Sequence, residues 1–219
     1  MEPKELPGLE RLLELCQRLQ LGLKTSPPAG VPVVAGSLME GAPFDPVLAK
    51  VYARLGHAAF ATKVMRWVLT RSDDQENRLA ENNRWWRETY WGELGMPVIV
   101  FGGDVYSYAT VPSLADEWGR QPVVEVNTYE LDGLHVLPVA SNVDRFFDSY
   151  SRYLEAVVAS PRYQEAGENG ILFPSHMGDL LARDERLVEL LRSGRFEPLM
   201  KNLDEGERRW VAKVMGARE

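Results

Sequence analysis

The sequence predicts an α+β fold. Two observations carry the prediction. Between positions 97 and 140 the chain runs in short apolar stretches punctuated by glycine and proline, and one sharply amphipathic helix follows directly. The stretches are PVIVFGGD, VYSYATV, PVVEV and LHVLPVA, with turns expected at Gly102-Gly103, at residues 113–121 and at Asp132-Gly133. Apolar runs bounded by turn residues read as strands, and a meander closed by a helix is the pattern of an α+β domain. In the helix over 141–158, Val143, Phe146, Phe147, Tyr150, Leu154, Val157 and Val158 form one stripe. Ser141 resembles its N-cap, with Asp144 three residues on in the place of the capping-box acid.

Upstream, residues 6–23 read as a helix, because Leu9, Leu12, Leu13, Cys16 and Leu19 recur at helical spacing. Residues 24–32 (KTSPPAGVP) read as a loop, since adjacent prolines remove backbone donors and push the preceding residue to extended geometry. Asp45-Pro46 opens a second helix, with Val47, Leu48, Val51, Tyr52 and Leu55 on its apolar face and Gly56 at its end. Residues 57–71 fit a helix face and a strand alike; their β-branched and aromatic content favours the strand. Ser72-Asp73-Asp74 is expected to cap a helix reaching Leu94, stopped by Gly95 and Pro97. Leu79, Trp86, Tyr90 and Leu94 share its buried face, while Trp85 and Trp91 fall outside that face. Either these two pack under another layer or they are exposed. Exposed Trp beside Arg84 and Arg87 is the composition of a binding hot spot. Residues 160–175 look loop-like. Met177, Leu180, Leu181, Leu187, Val188 and Leu191 then mark one helix ending near Gly194, and Trp210, Val211, Val214 and Met215 a last one.

The organisation expected is therefore an N-terminal helix and Pro-rich loop over 1–40, an α+β core over 41–160 and a helical extension over 161–219. The 45% hydrophobic content is that of a folded chain rather than a disordered one. No apolar run approaches the ~20 residues of a membrane span, and no basic segment followed by an apolar one opens the chain. A cytoplasmic protein is expected. Cys16 is the single cysteine and sits among leucines, which suits a small buried hydrophobe better than a nucleophile.

Charge is unevenly spread. Residues 72–160 hold 6 Lys/Arg against 15 Asp/Glu, a balance of −9, whereas residues 1–71 carry +3 and the whole chain −7. Phosphate repels an acidic surface, so nucleic acid is a poor partner and a basic protein a better one. Such a surface also serves solubility alone.

Catalytic spacings are missing. His57, His135 and His176 fall in no recognised metal-ligand pattern, and neither a nucleophile elbow nor a phosphate loop is present. Phe101-Gly102-Gly103-Asp104 reads as a tight turn after a strand. No cofactor and no metal are expected. One enzyme-like or ligand-binding alternative stays open: an aromatic pocket built from Trp85, Trp91 and Tyr106, with Asp104 orienting a polar group and His135 beside them.

In outline, residues 44–155 resemble the SUKH superfamily, which includes yeast cell-wall regulators of the Smi/Knr type and many bacterial immunity proteins. The helix from Pro46 to Gly56 looks like the family's proline-led helix ending in glycine. Val98 to Asp104 is similar to its apolar strand with a Phe-Gly turn, Pro122-Val123-Val124 to its next strand, and Val139-Ala140-Ser141 to the lead-in of its late helix. The match departs at Asp45-Pro46 and Leu55-Gly56, where the family usually has Leu-Pro and Asn-Gly, and residues 1–40 and 160–219 have no counterpart. The resemblance implies a mixed, mostly antiparallel sheet of about five or six strands packed by helices. The role it implies is non-enzymatic binding, commonly neutralisation of a toxin domain. With the acidic centre, the expected partner is a basic protein such as a toxin domain, and the candidate contacts are Trp85, Trp91, Asp104, Asp116, Glu117 and Glu125.

Overall fold

Proline at the first turn and acids at the caps set where the helices begin. Pro7 opens α1 (Pro7–Arg18). Asp45 caps α2 (Pro46–Arg54), its carboxylate accepting the Leu48 N–H at 2.6 Å. This computed structural model describes residues 5–28, 33–60, 68–69, 79–103, 105–167 and 170–216. Between α1 and α2 lie β1 (Leu23–Ser26), β2 (Leu38–Met39) and β3 (Ala42–Pro43). After α2 come β4 (His57–Phe60), β5 (Val68–Leu69), α3 (Leu79–Thr89) and α4 (Trp91–Leu94). The meander follows as β6 (Ile99–Gly103), β7 (Ser107–Thr110), β8 (Val123–Asn127) and β9 (His135–Ala140). The chain ends in α5 (Val143–Ala159), α6 (Pro161–Ala166), α7 (Gly178–Leu181), α8 (Glu185–Arg192) and α9 (Glu205–Val214).

The sheet order is β1-β4-β5-β6-β7-β8-β9, with β2 and β3 paired apart. It is not the single mixed sheet of five or six strands. Four strands, β6 to β9, form a continuous meander; among the described residues the β1–β4 ladder reaches it through Val68 and Leu69 of β5. Every described pair is antiparallel.

Both faces of the meander are buried. Ile99, Phe101, Tyr108, Val123 and Val139 point into a core shared with α1, α2 and α5. Val98, Val100, Ala109, Val124, Val126 and Val136 point into a second core, shared with Trp86, Leu94 and the leucines and valines of α8 and α9. The α5 stripe is buried as its spacing predicts, and α1 lies along α5. That contact needs Gly8: a Cβ there would stand 2.0 Å from the Asp144 carbonyl oxygen.

Side chains pair the edge of the sheet at Val98 and Val100. The Val100 N–H donates to Asn83 Oδ1 and its carbonyl accepts from Asn83 Nδ2, both at 2.8 Å. Trp91 Nε1 donates to the Val98 carbonyl at 3.1 Å. Buried backbone groups must be paired, and here α3 and α4 supply what a strand would.

Several local expectations are corrected. The first helix ends at Arg18, because Leu19 leaves helical geometry and Gln20 takes φ 52. Residues 23–26 are β1, not loop, since pairing with β4 satisfies backbone that intrinsic propensity leaves open. α2 ends at Arg54 with Leu55 as its C-cap, directly before Gly56, where a Cβ would meet the Pro27 carbonyl oxygen at 2.5 Å. Asn142, not Ser141, caps α5 by accepting the Arg145 N–H, while the Ser141 N–H donates to Asp184. The expected helix over 177–194 is two, α7 and α8, because Asp184 caps α8. Of the strand expected over 57–71, residues 57–60 and 68–69 are strand and the rest lie outside the described residues, as does Ser72-Asp73-Asp74.

Two substitutions test this frame. Phe147 is 1% exposed, so Phe147→Ala should destabilise by about 3–5 kcal/mol in chemical denaturation. Asn83→Ala strips two buried backbone groups of their partners and should cost at least about 2 kcal/mol. Near wild-type denaturation midpoints would show that these contacts do not hold the sheet to its helices.

Candidate functional site

A four-stranded meander sends its first and third turns out at one end. The β6–β7 and β8–β9 turns therefore emerge together. Val105 is 58% exposed, Tyr129 68% and Leu131 fully so, with Tyr106 beside them. Isolated exposed apolar residues are ordinary, whereas these stand together on adjacent turns as one exposed apolar patch.

The β8–β9 turn is held from beneath. Asn127 Oδ1 accepts the Tyr129 N–H and Asn127 Nδ2 donates to Glu130, each at 2.9 Å. The Leu134 N–H donates to Glu93 at 2.8 Å, and Asn202 Nδ2 donates to the Leu134 carbonyl. Leu131 and Tyr129 thus project from a fixed turn, and little conformational entropy is lost when a partner covers them.

A polar cluster lies under the turn. His135 is buried between two carboxylates, with Nδ1 at 2.7 Å from Glu207 and Nε2 at 2.9 Å from Asp132. A neutral imidazole has one N–H and two acceptors face it, so this geometry suits the imidazolium. Burial pulls the His135 pKa down, but the hydrogen bond to Asp132 and the charge of Glu207 outweigh it, and the net direction is up. Glu207 also completes the capping box of α9, accepting the Asp204 N–H. Deeper in, the Tyr108 hydroxyl donates to Glu125 at 3.0 Å. Burial pushes the Glu125 carboxyl up to about 8, against the Tyr108 hydrogen bond and aided by the charge of Glu207. Burial and the charges of Glu125, Glu130 and Glu207 raise the Tyr106 phenol, which places these groups around one centre.

Among the described residues no Lys or Arg pairs with Glu130, Asp132 or Glu207; only His135 offsets them. The end of the sheet is therefore an apolar and aromatic tip on an acidic base. This arrangement can desolvate a partner's apolar side chain and attract its cations.

The five described residues among the six named from sequence are scattered. Glu125 is a correction: it is 5% exposed within β8, not a surface charge, because the strand is buried on both faces. Asp104 sits in the β6–β7 turn by sequence but lies outside the described residues. Asp116 and Glu117 occupy the β7–β8 loop, at the opposite end. Trp85 is 50% exposed and stands edge-on to Tyr90 at 5.2 Å. Its neighbours Arg84 and Arg87 are drawn to Glu40, with Arg87 Nη1 at 2.6 Å. Trp91 is half-buried, its N–H spent on the β6 edge. Trp85, Trp91, Tyr106 and His135 line none of the cavities beside α1, α2, α5 and α8. Sequence reasoning missed Tyr129, Leu131 and Glu207. A signal existed for two of them: TYELDG places an aromatic and a leucine inside an acidic turn, where neither has a core to fill.

Among the described residues no group of three or more His, Cys, Asp or Glu is placed to hold a metal ion, and no helix is long and apolar enough to cross a membrane. The chain matches no family model, no curated protein and no solved structure.

The buried carboxyl makes stability depend on pH. A Glu raised from 4.5 to about 8 on folding gives stability that is complete below about 4.5 and lost as pH rises through about 8. His135, also raised, acts with the same sign above its ordinary 6.5. Denaturation at pH 5, 7 and 9 should show declining stability in wild type and a shallower decline in Glu125→Gln. Equal slopes would place Glu125 in water.

Proposed function

We propose that the chain is a non-enzymatic protein-binding module whose hairpin end docks a basic protein, in the manner of a bacterial immunity protein that neutralises a toxin domain. The observation that carries this reading is the fully exposed Leu131, with Tyr129, on a braced turn above carboxylates that have no Lys or Arg partner among the described residues. Covering a leucine contributes about 1.5–3 kcal/mol. Unpaired acids around it raise the encounter rate with a cationic partner and select against an acidic one. The ordered SUKH-like motifs over residues 44–155 support the immunity type.

The partner to test is the product of the neighbouring reading frame, by surface plasmon resonance at two salt concentrations. Leu131→Ser should weaken binding by about 2 kcal/mol, roughly 30-fold in Kd, mainly through faster dissociation. Glu130→Gln with Asp132→Asn should slow association and flatten its salt dependence. Association that ignores salt, or an unchanged Kd in Leu131→Ser, would place the contact elsewhere.

A further inference from the structure

The opposite end of the sheet carries a second surface of different character. The β7–β8 loop and the start of α5 meet there. A cavity of about 860 Å³ opens between α1, α2 and α5, and one of about 480 Å³ lies toward α8. The two share Arg120, Asn142 and Arg145 in their linings, so they form one trough.

Trp118 stands in its wall, 65% exposed. It is not a loose side chain. Asp116 Oδ1 accepts the Trp118 N–H at 3.0 Å and the Arg120 N–H at 2.9 Å, and Asp116 Oδ2 takes Arg120 Nε at 2.7 Å. The Arg120 guanidinium then lies 4.5 Å from the centre of the Trp118 ring. The Gln121 N–H ties the loop to buried Asp45 at 2.6 Å. A large aromatic held open on a fixed loop beside an arginine is the composition of an interface anchor.

The charges of the trough are unequally engaged. Asp144 accepts the Gly8 and Leu9 N–H groups at 2.9 and 3.1 Å, which spends it on the start of α1. Asp184 accepts from Leu187 and Ser141. Each acid is followed or preceded in the chain by an arginine, Arg145 after Asp144 and Arg183 before Asp184. Neither arginine enters an ion pair among the described residues, and both line the trough. The adjoining carboxylates of Asp144 and Asp184 are committed to backbone donors, while Glu185 shares the trough with the two arginines.

We propose that this trough is a docking site for an acidic peptide segment, with Arg145 and Arg183 taking its carboxylates and Trp118 covering an apolar residue on the α1–α2 side of Arg145. Arginine forks bind carboxylates in two-point contacts, and clusters of them read acidic motifs. The chain's net charge of −7 works against capture from a distance, so recognition rests on contacts within the trough rather than on steering. The site stands independently of the hairpin end, which lies across the sheet from it.

The test is fluorescence anisotropy with a short labelled peptide of Glu and Asp carrying one central Leu, at low salt. Wild type should bind. Arg145→Glu with Arg183→Glu should weaken binding at least about tenfold, and Trp118→Ala should do the same, with far-UV circular dichroism confirming the fold. Leu131→Ser, at the other end, should bind as wild type. Arg145→Gln serves where the double variant fails to fold, and should weaken binding by about threefold or more. No binding at low salt, or binding untouched by these variants, overturns the proposal. So does inorganic phosphate binding alone with the same arginine dependence, which would make the site a simple anion hole. Self-association abolished by Trp118→Ala would assign the trough to a second copy and overturn it equally.

Discussion

Burial of the meander on both faces is the constraint from which the rest follows. An antiparallel sheet can leave one face to water; this one does not. Successive residues from Val98 into β6 feed two different cores, Val98 and Val100 into one and Ile99 and Phe101 into the other. Helices must then cover both sides, which is the work of α1, α2 and α5 on one and of α3, α8 and α9 on the other. With both faces closed, the sheet meets solvent only at its two ends and its edges. The edge of β6 is closed by Asn83 and Trp91. The ends are what remain for recognition.

The same constraint explains what the sequence made legible. The four strands of the meander were readable because strands buried twice over are near-continuous apolar runs, and α5 because one face of a long helix is unbroken. Glu125 was misread for the same reason. In PVVEV an acid looks like the solvent-facing member of an alternating strand, but this strand has no solvent-facing position. β1 was illegible: LKTS has neither strand composition nor alternation, and only its partner β4 makes it a strand. The hairpin site was half legible. Tyr129 and Leu131 stand together in sequence, whereas Glu207 reaches His135 across 72 residues, by way of the docking of α9, and no local pattern announces such a contact.

Net charge counted along a chain overstates the field that the folded molecule presents. The −9 of residues 72–160 is largely spent on structure. Glu93 accepts the Leu134 N–H, Asp116 braces the Trp118 loop, Asp144 serves the start of α1, and Glu155 pairs with Arg11 and Arg18. Glu125, with its carboxyl raised to about 8, is mostly protonated at neutral pH. Among the described residues, Glu130 and Asp132 at the hairpin tip lack a Lys or Arg partner, as do Glu81 on α3 and Glu117 in the β7–β8 loop.

Helix starts account for the opposite polarity across the sheet. α1, α2, α5 and α8 all begin near the far end, and each start leaves backbone N–H groups that need acceptors. Asp144, Asp45, Asn142 and Asp184 meet that need. A carboxylate bound to two N–H groups at a positive helix terminus is a poorer neutraliser of a nearby arginine than a free one, because its lone pairs and much of its field are already engaged. Arg145 and Arg183 are thus left cationic and accessible in a region where a count of charges gives near balance. At the hairpin end α9 begins, and its capping acid Glu207 is shared with His135. One sheet accordingly separates an acidic, apolar tip from an arginine-lined trough, and the separation follows from where the helices start rather than from any segregation of charge along the chain.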